Sequence, residues 1–226
     1  MDEASKSKRL WGELEWSVLK GSGIDIGCGR DPVLPGVRRF DKENGDANEI
    51  ARHVREQFDF VFSSHCLEHM HDPRKALLQW WALVRPGGHL FFIVPDEDLY
   101  EQGVFPSRFN PDHKATFTIS KERSWSPVSV NVRELALGLP DALLVSLILQ
   151  DHGYDRSLLR GSRGGPGRSV GGLLHRVCIF LRRRGPGRAR LLESVVARLT
   201  AIDQTAFPGV SAQIQCIVRK APCVAP

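Results

Sequence analysis

Hydrophobic and polar positions along the first part of the chain alternate between helical and strand spacings. Apolar side chains recur at helical spacing over residues 10–19, and glycines then break the pattern. Residues 23–27 predict a short strand that ends in a glycine-rich turn, and residues 37–40 predict a second short strand. Helical spacing returns over residues 46–57. These patterns predict helix, strand, strand and helix in that order.

A second group of elements follows the first. Residues 58–63 alternate and then run apolar, as a buried parallel strand does. The pair Asp72-Pro73 predicts a helix start, with Asp72 as the N-cap, and residues 86–88 (Pro-Gly-Gly) end that helix. Residues 89–94 predict another buried strand. Strands and helices in this order predict an α/β, Rossmann-like fold with a mostly parallel sheet and helices on both faces.

The pattern is weaker after Pro95. Residues 96–121 are polar and loop-like, and residues 132–152 predict a helix that is interrupted near Gly138. Six glycines between residues 161 and 172 indicate a flexible loop. The last predicted elements are a helix over residues 191–202 and a strand over residues 212–219.

The net charge of +5 is unevenly distributed. Nine of the 31 Lys and Arg residues are arginines between positions 160 and 190, a stretch without Asp or Glu. Without that stretch the acidic residues, 26 in all, outnumber the basic ones. The basic character is therefore local, and the rest of the chain is mildly acidic.

The five cysteines are odd in number and scattered, with no spacing typical of a disulfide framework or a metal site. Residues 1–9 are charged and lack the apolar segment of a secretory signal. No apolar run approaches the ~20 residues that span a bilayer. These features predict reduced thiols and a cytoplasmic protein.

The clearest chemical signal lies in residues 23–29, Gly-Ile-Asp-Ile-Gly-Cys-Gly. Asp25 stands two places before a Gly-x-Gly turn, at the end of the first strand. Glycines allow the backbone to approach a cofactor, and a nearby carboxylate can bind the α-ammonium of S-adenosylmethionine (SAM). A nicotinamide cofactor requires a third glycine at position 32, which is Pro32. The motif therefore favours SAM over a dinucleotide.

Two further acidic residues follow the second predicted strand. Asp41 stands where a carboxylate can accept hydrogen bonds from both ribose hydroxyls. Asp46 and Ala47 lie a few residues on and are expected along the adenine edge.

Three blocks, residues 23–29, 58–69 and 84–90, occur in an order that resembles the class I SAM-dependent methyltransferases. The resemblance covers roughly residues 20–95 and looks closest to bacterial enzymes of sugar or cell-surface polysaccharide pathways. It implies a seven-stranded sheet, SAM as cofactor and methyl transfer. The implied cofactor-binding residues are Asp25, Gly27, Cys28, Gly29, Asp41, Asp46, Ala47 and Ser63. Only eleven residues separate Gly29 from Asp41, so the usual first helix is expected to be shortened to a turn.

The expected organisation is a single domain. Residues 1–22 form an N-terminal helix, residues 23–95 the SAM-binding half, and residues 96–226 the acceptor-side half of the same domain. The Gly/Arg-rich segment 160–190 is a basic insertion in that second half.

Two histidines are possible general bases. His65 follows a predicted strand at the carboxyl edge of the sheet, where ligands bind in open α/β folds. His113 lies in the loop expected to cover the acceptor. His65 and His69 also fit the H-x-x-E-H pattern of certain zinc peptidases, but the methyltransferase resemblance already explains that position. We expect Glu68 and His69 to orient the loop, and we expect no metal.

The sequence predicts a methyltransferase that acts on a small-molecule or saccharide acceptor, by O-methylation. Two alternatives stay open: a catalytically inactive methyltransferase-like binding protein, and a methyltransferase of RNA or protein. Segment 160–190 is compatible with a solvated basic insertion or with contact to an anionic membrane surface. Nucleic acid is disfavoured, because the segment holds one Arg-Gly-Gly triplet and no aromatic residue before Phe180.

Overall fold

The computed structural model describes residues 3–161, 177, 180 and 201–222. The predicted basic segment 160–190 and the predicted helix 191–202 fall almost wholly outside these residues. Contact of that segment with an anionic surface therefore stays a prediction. None of the helices in the described part of the chain combines the length and the apolar composition needed to cross a bilayer.

A six-stranded sheet forms the centre of the molecule, with the strand order β2-β1-β3-β4-β8-β7. Its strands are β1 (Gly23–Ile26), β2 (Arg38–Phe40), β3 (Phe58–Ser64), β4 (Val84–Pro95), β7 (Ala142–Gln150) and β8 (Gln213–Lys220). The first four in spatial order are parallel, and β8 runs antiparallel to both β4 and β7. Strands β5 (Thr116–Thr118) and β6 (Ser129–Asn131) form a separate parallel pair. The mostly parallel sheet is confirmed.

Helices cover both faces of this sheet, as the pattern predicts. The α-helices that are described over their whole length are α1 (Glu3–Lys8), α2 (Glu13–Val18), α3 (Pro73–Ala82) and α4 (Val132–Leu137). One core cluster joins α1 and α2 to the sheet through residues such as Val18 and Phe62, and the other joins α3 and α4 through Trp80 and Leu135. Asp72 caps α3 by accepting hydrogen bonds from two backbone N–H groups of its first turn.

The expected shortening after the first strand is also present. Within the described residues, positions 27–37 contain no helix. The expected helix over residues 46–57 is reduced to a 3-10 helix, Ala47–Arg52, and residues 53–57 connect it to β3. The described residues therefore give this sheet six strands, not the seven that the family resemblance implies.

The helix predicted over residues 132–152 is wrong. Only α4 is helical, and residues 142–150 form the edge strand β7, paired with β8. The burial of β7 alternates over its first half, which is the two-residue period of a strand. The turn at residues 138–141 separates the two elements, and Asp141 takes a left-handed backbone conformation there (φ 57°).

Candidate active site

Two cavities adjoin each other at the carboxyl ends of the parallel strands. The smaller has a volume of about 250 Å³ and the larger about 760 Å³. Gly27, His65 and His69 line both cavities, so the two share a wall at the end of β1 and β3. This edge is where ligands bind in open α/β sheets.

The Gly-x-Gly turn after β1 forms part of this shared wall. Gly27 has a φ of 77°, and a β-carbon added there would lie 2.6 Å from the Cβ and Sγ atoms of Cys66. Only glycine fits at that position. Gly29 has a φ of 53°, and its N–H donates to the carboxylate of Asp41 over 2.6 Å. Cys28, between them, lines the smaller cavity, and burial raises the pKa of its thiol.

Asp25 is buried at the bottom of the smaller cavity. One carboxylate oxygen accepts a hydrogen bond from the Val33 N–H over 2.6 Å, and the other, Oδ1, has no hydrogen-bond partner among the described residues. Burial raises the pKa of Asp25 to about 7, although the Val33 hydrogen bond acts in the opposite direction. A buried carboxylate oxygen without a partner suits a cationic ligand group such as an α-ammonium.

The other expected cofactor residues lie along the larger cavity. Asp41, Asp46 and Ala47 all line it. The carboxylate of Asp46 accepts from the backbone and side-chain N–H groups of Asn48, which lowers the pKa of Asp46 and caps the 3-10 helix. The carbonyl of Ala47 accepts a hydrogen bond from the indole of Trp80 over 2.9 Å, so α3 supports this wall from behind.

Ser63 is the expected cofactor residue that the described structure does not bring to either cavity. Its hydroxyl donates to the carbonyl of Ile26 over 2.9 Å, which ties β3 to β1 inside the sheet. Side chains alternate between the two sides of a strand. The neighbouring Ser64 lines the smaller cavity instead.

His65 lies between the two cavities in a left-handed backbone conformation (φ 52°). Its Nε2 is 3.0 Å from the Gln213 side-chain oxygen, and its Nδ1 is 3.4 Å from Glu68 Oε1. Burial disfavours the charged ring, but the hydrogen bond and the charge of Glu68, together with Glu3 and Gln213, outweigh it and raise the pKa of His65 to about 9. His65 is therefore an imidazolium at neutral pH, with both nitrogens engaged.

His113 occupies the opposite side of the smaller cavity. Its Nδ1 is 2.7 Å from Glu101 Oε1, and both side chains are buried. A carboxylate at Nδ1 fixes the ring orientation and leaves the lone pair on Nε2. The backbone carbonyl of Glu68 accepts from the N–H groups of Lys114 and Ala115, which fixes the loop that carries His113.

Glu68 and His69 complete this side of the cavity. Glu68 is 1% exposed, and its Oε2 has no hydrogen-bond partner among the described residues. Burial opposes its ionisation, but His65, His113 and His69 outweigh that effect and lower the pKa of Glu68. The ligand atoms of Glu68, His69 and His113 all lie within 4.8 Å of one another.

Helix α1 closes the smaller cavity from the far side. Ser5 donates from its N–H and its hydroxyl to Asp31, and the Lys6 ammonium donates to the Thr205 carbonyl over 2.7 Å. Gln213 on β8 links α1 to the site, because its amide contacts both Ser7 and His65.

Sequence reasoning missed α1, Glu101 and Gln213 as parts of this site. The signal for Gln213 was present, because Gln213 and Gln215 stand at alternate positions beside the apolar residues 214 and 216–218. Such residues face one side of a sheet, and buried amides there need polar partners.

A comparison with protein families identifies one matching model. Residues 5–125, more than half of the chain, match the family described as a methyltransferase domain. The match includes β1 to β4, the Gly-x-Gly turn and the loop with His113.

Individual relatives match over a short stretch or at low sequence identity. The ubiquinone biosynthesis O-methyltransferase of Aromatoleum aromaticum is 33% identical over 76 residues, which are 31% of this chain and 32% of that protein. The chain thus matches about a third of the length of this curated relative. A solved SAM-dependent methyltransferase from Archaeoglobus fulgidus is 13% identical to this chain, with a TM-score of 0.49. The alignment covers 97% of this chain and 95% of the Archaeoglobus chain. A possible histamine N-methyltransferase from Thermotoga maritima is 15% identical with a TM-score of 0.47, over 97% and 88% of the two chains.

Proposed function

This chain belongs to the methyltransferase domain family, the class I enzymes that use SAM as cofactor, and we propose that it methylates a hydroxyl oxygen of a small polar molecule. The observation that carries the proposal is the pair of adjoining cavities. The larger runs along the expected ribose and adenine residues, and the smaller is lined by charged and polar side chains. Their shared wall at Gly27 and His65 is where a methyl donor and an acceptor can meet.

We assign the larger cavity to the nucleoside part of SAM. Asp41 accepts hydrogen bonds from the ribose hydroxyls, Asp46 and Ala47 border the adenine, and the backbone of Gly27, Cys28 and Gly29 lies along the centre of the cofactor. The methionine end of SAM then extends past Gly27 into the smaller cavity, where the free Oδ1 of Asp25 is the expected partner of the α-ammonium. When bound, the cofactor supplies a methyl group on a positively charged sulfur. Residues 23–95 then supply most of the cofactor contacts, and residues 96–226 contribute to the acceptor side.

The smaller cavity favours a small acceptor over RNA or protein. Its volume of about 250 Å³, which the acceptor shares with the methionine end of SAM, is small for a ligand site. Groups of both charge signs line it, among them Glu3 and Lys6, together with the neutral phenol of Tyr100. Hydroxyl-rich molecules, such as a saccharide or a phenol, match such a lining because they donate and accept hydrogen bonds. The O-methyltransferase name of the Aromatoleum relative is in keeping with an oxygen acceptor.

Of the two expected bases, His113 fits the role better. A hydroxyl that attacks the methyl carbon must lose its proton, and a histidine accepts it only as a neutral ring. His65 is charged at neutral pH and engaged at both nitrogens. His113 has Nδ1 held by Glu101, which leaves Nε2 as the acceptor of a proton. His65 then acts as a fixed positive group beside the reacting atoms.

The test is a methyl-transfer assay with isotopically labelled SAM and a panel of phenols, saccharides and amines. We expect labelled hydroxyl products, and a loss of about 10²- to 10⁴-fold in kcat for His113→Gln. His71→Gln is the matched control, because His71 is an exposed histidine outside both cavities. Methylation of amines alone, or equal activity of His113→Gln and His71→Gln, would contradict the proposal.

A further inference from the structure

The side chains of Glu68, His69 and His113 lie together at one corner of the smaller cavity. Their ligand atoms all lie within 4.8 Å of one another. Two histidines and one carboxylate are a common ligand set for Zn²⁺, and for Fe²⁺ in oxygenases. Ligand atoms on one Zn²⁺ are about 3.3 Å apart at tetrahedral geometry and bonds of ~2.0–2.1 Å, so closing this group around an ion requires movements of roughly 1 Å.

Both imidazoles have Nδ1 engaged by an oxygen, which leaves Nε2 available to a metal ion. The Nδ1 of His113 faces Glu101 Oε1 at 2.7 Å, and the Nδ1 of His69 faces the Asp112 carbonyl at 3.3 Å. An N–H directed at each oxygen leaves the lone pair on Nε2. Metal-bound histidines almost always donate their other N–H to a carboxylate or a backbone carbonyl, and this corner contains one example of each.

Glu68 provides an independent sign of an absent partner. The residue is 1% exposed, and its Oε2 has no hydrogen-bond partner among the described residues. Its other oxygen is 3.4 Å from His65. Leaving a buried charged oxygen without a partner is unfavourable, and a cation removes that penalty.

We propose that Glu68, His69 and His113 bind one divalent transition-metal ion of the Zn²⁺ class at this corner of the smaller cavity. Imidazole nitrogens favour such ions over Mg²⁺ and Ca²⁺, which prefer oxygen ligands. A metal ion here is contrary to the sequence-based expectation of no metal. The ligand set also differs from that of the H-x-x-E-H pattern, because His65 is engaged by Glu68 and Gln213 and is not a ligand. His113, from a distant loop, is the third ligand.

Such an ion deepens the proposed function, on which this part of the inference rests. With three protein ligands, coordination positions remain open toward the cavity, and an acceptor with two adjacent hydroxyls can occupy them. The ion lowers the pKa of a hydroxyl, so its proton leaves to solvent. The oxygen forms the new bond to the methyl carbon, and the carbon–sulfur bond breaks with its electron pair on sulfur. In the metal-loaded form His113 is a ligand and no longer a base.

The test is a titration of the metal-free full chain with Co²⁺, followed by visible absorption, without SAM. Co²⁺ takes the place of Zn²⁺ in such sites and is coloured. We expect one ion per chain, bound at micromolar concentration, with displacement by Zn²⁺. His69→Gln and His113→Gln should each weaken binding by 100-fold or more, and Glu101→Gln by about 10-fold because it acts through His113. His71→Gln should bind as the unmodified chain does.

Two results would overturn the metal site. One is no coloured complex at millimolar Co²⁺ with the unmodified chain, a result that depends on no variant folding. The other is binding that His69→Gln and His113→Gln leave unchanged. SAM binding by the same samples is measured in parallel, because its expected contacts, among them Asp25 and Asp41, do not include the three metal ligands. A chain that binds SAM but no Co²⁺ contradicts the metal site alone.

Discussion

The backbone N–H of Gly29 donates a hydrogen bond to the carboxylate of Asp41, with a nitrogen-to-oxygen distance of 2.6 Å. The contact joins the turn after β1 to the turn after β2, in a segment without the usual helix between them. The second oxygen of Asp41 accepts from the Lys42 N–H. Because each carboxylate oxygen has two lone pairs, both remain able to accept from a ribose hydroxyl. One residue thus supports the shortened loop and faces the larger cavity.

The two glycines of this turn should respond differently to alanine. Gly27→Ala brings a β-carbon 2.6 Å from Cys66, whereas the nearest atom for Gly29→Ala is an Asp41 oxygen at 4.0 Å. Both have left-handed φ values, which cost roughly 1–2 kcal/mol for alanine. We expect Gly29→Ala to lose only that amount in denaturant unfolding, and Gly27→Ala to lose clearly more and to bind SAM poorly. Equal losses of unfolding free energy in the two variants would show that the contact with Cys66 does not add to the cost of an alanine at position 27.

Asp25 should make stability fall as the pH rises between about 4 and 7. Burial raises its folded-state pKa to about 7 from an ordinary value of 3.8, so in this window the folded chain holds a proton that the unfolded chain has lost. The contribution of this group to the free energy of unfolding then decreases by up to about 1.4 kcal/mol per pH unit. The free energy of unfolding is measured across this range for the unmodified chain and for Asp25→Asn. The difference between the two proteins should change as the pH rises from about 4 and become constant above about pH 7.

The same titration should appear in SAM affinity. An α-ammonium binds the carboxylate better than the carboxylic acid, so affinity should increase as the pH rises through 7. Asp25→Asn should bind more weakly at pH 8 and lose this part of the pH dependence. An identical pH profile for the two proteins would remove Asp25 from the ammonium site.

Two neighbouring tryptophans offer a matched pair behind the site. Both are buried, and Trp80 donates to the Ala47 carbonyl at the larger cavity, whereas Trp81 donates to the Pro140 carbonyl before β7. Replacement by phenylalanine leaves each carbonyl without its donor, at about 1–3 kcal/mol. We expect both variants to be less stable in thermal unfolding, and only Trp80→Phe to lose SAM affinity. Similar affinities for both variants would argue against support of the cavity by α3.

The strand and turn structure of residues 23–41 was predictable because its signals are local. The end of β1, the Gly-x-Gly turn and Asp41 lie within about twenty residues, and the parallel order of β1 and β2 brings them together. The hydroxyl of Ser63 lies inside the sheet and its neighbour Ser64 lines the smaller cavity, since side chains alternate along a strand.

The acceptor half was less predictable because its contacts are long-range. Strand β7 has the composition of a helix rich in leucine, and only its pairing with β8, more than sixty residues away, fixes it as a strand. The grouping of Glu68 with His113 likewise depends on backbone hydrogen bonds from residues 114 and 115 to Glu68. No periodicity within residues 96–121 indicates that contact.

We expect the larger cavity to bind SAM through Asp41, and calorimetric titration with SAM and with its demethylated product tests this most directly. The matched variants are Asp41→Ala and Glu43→Ala, which removes an exposed carboxylate two residues away and outside both cavities. We predict micromolar binding by the unmodified chain and by Glu43→Ala, and a loss of about tenfold or more in Asp41→Ala, equivalent to ~1.4 kcal/mol. No binding of either ligand at millimolar concentration, or equal affinities for the two variants, would contradict the account.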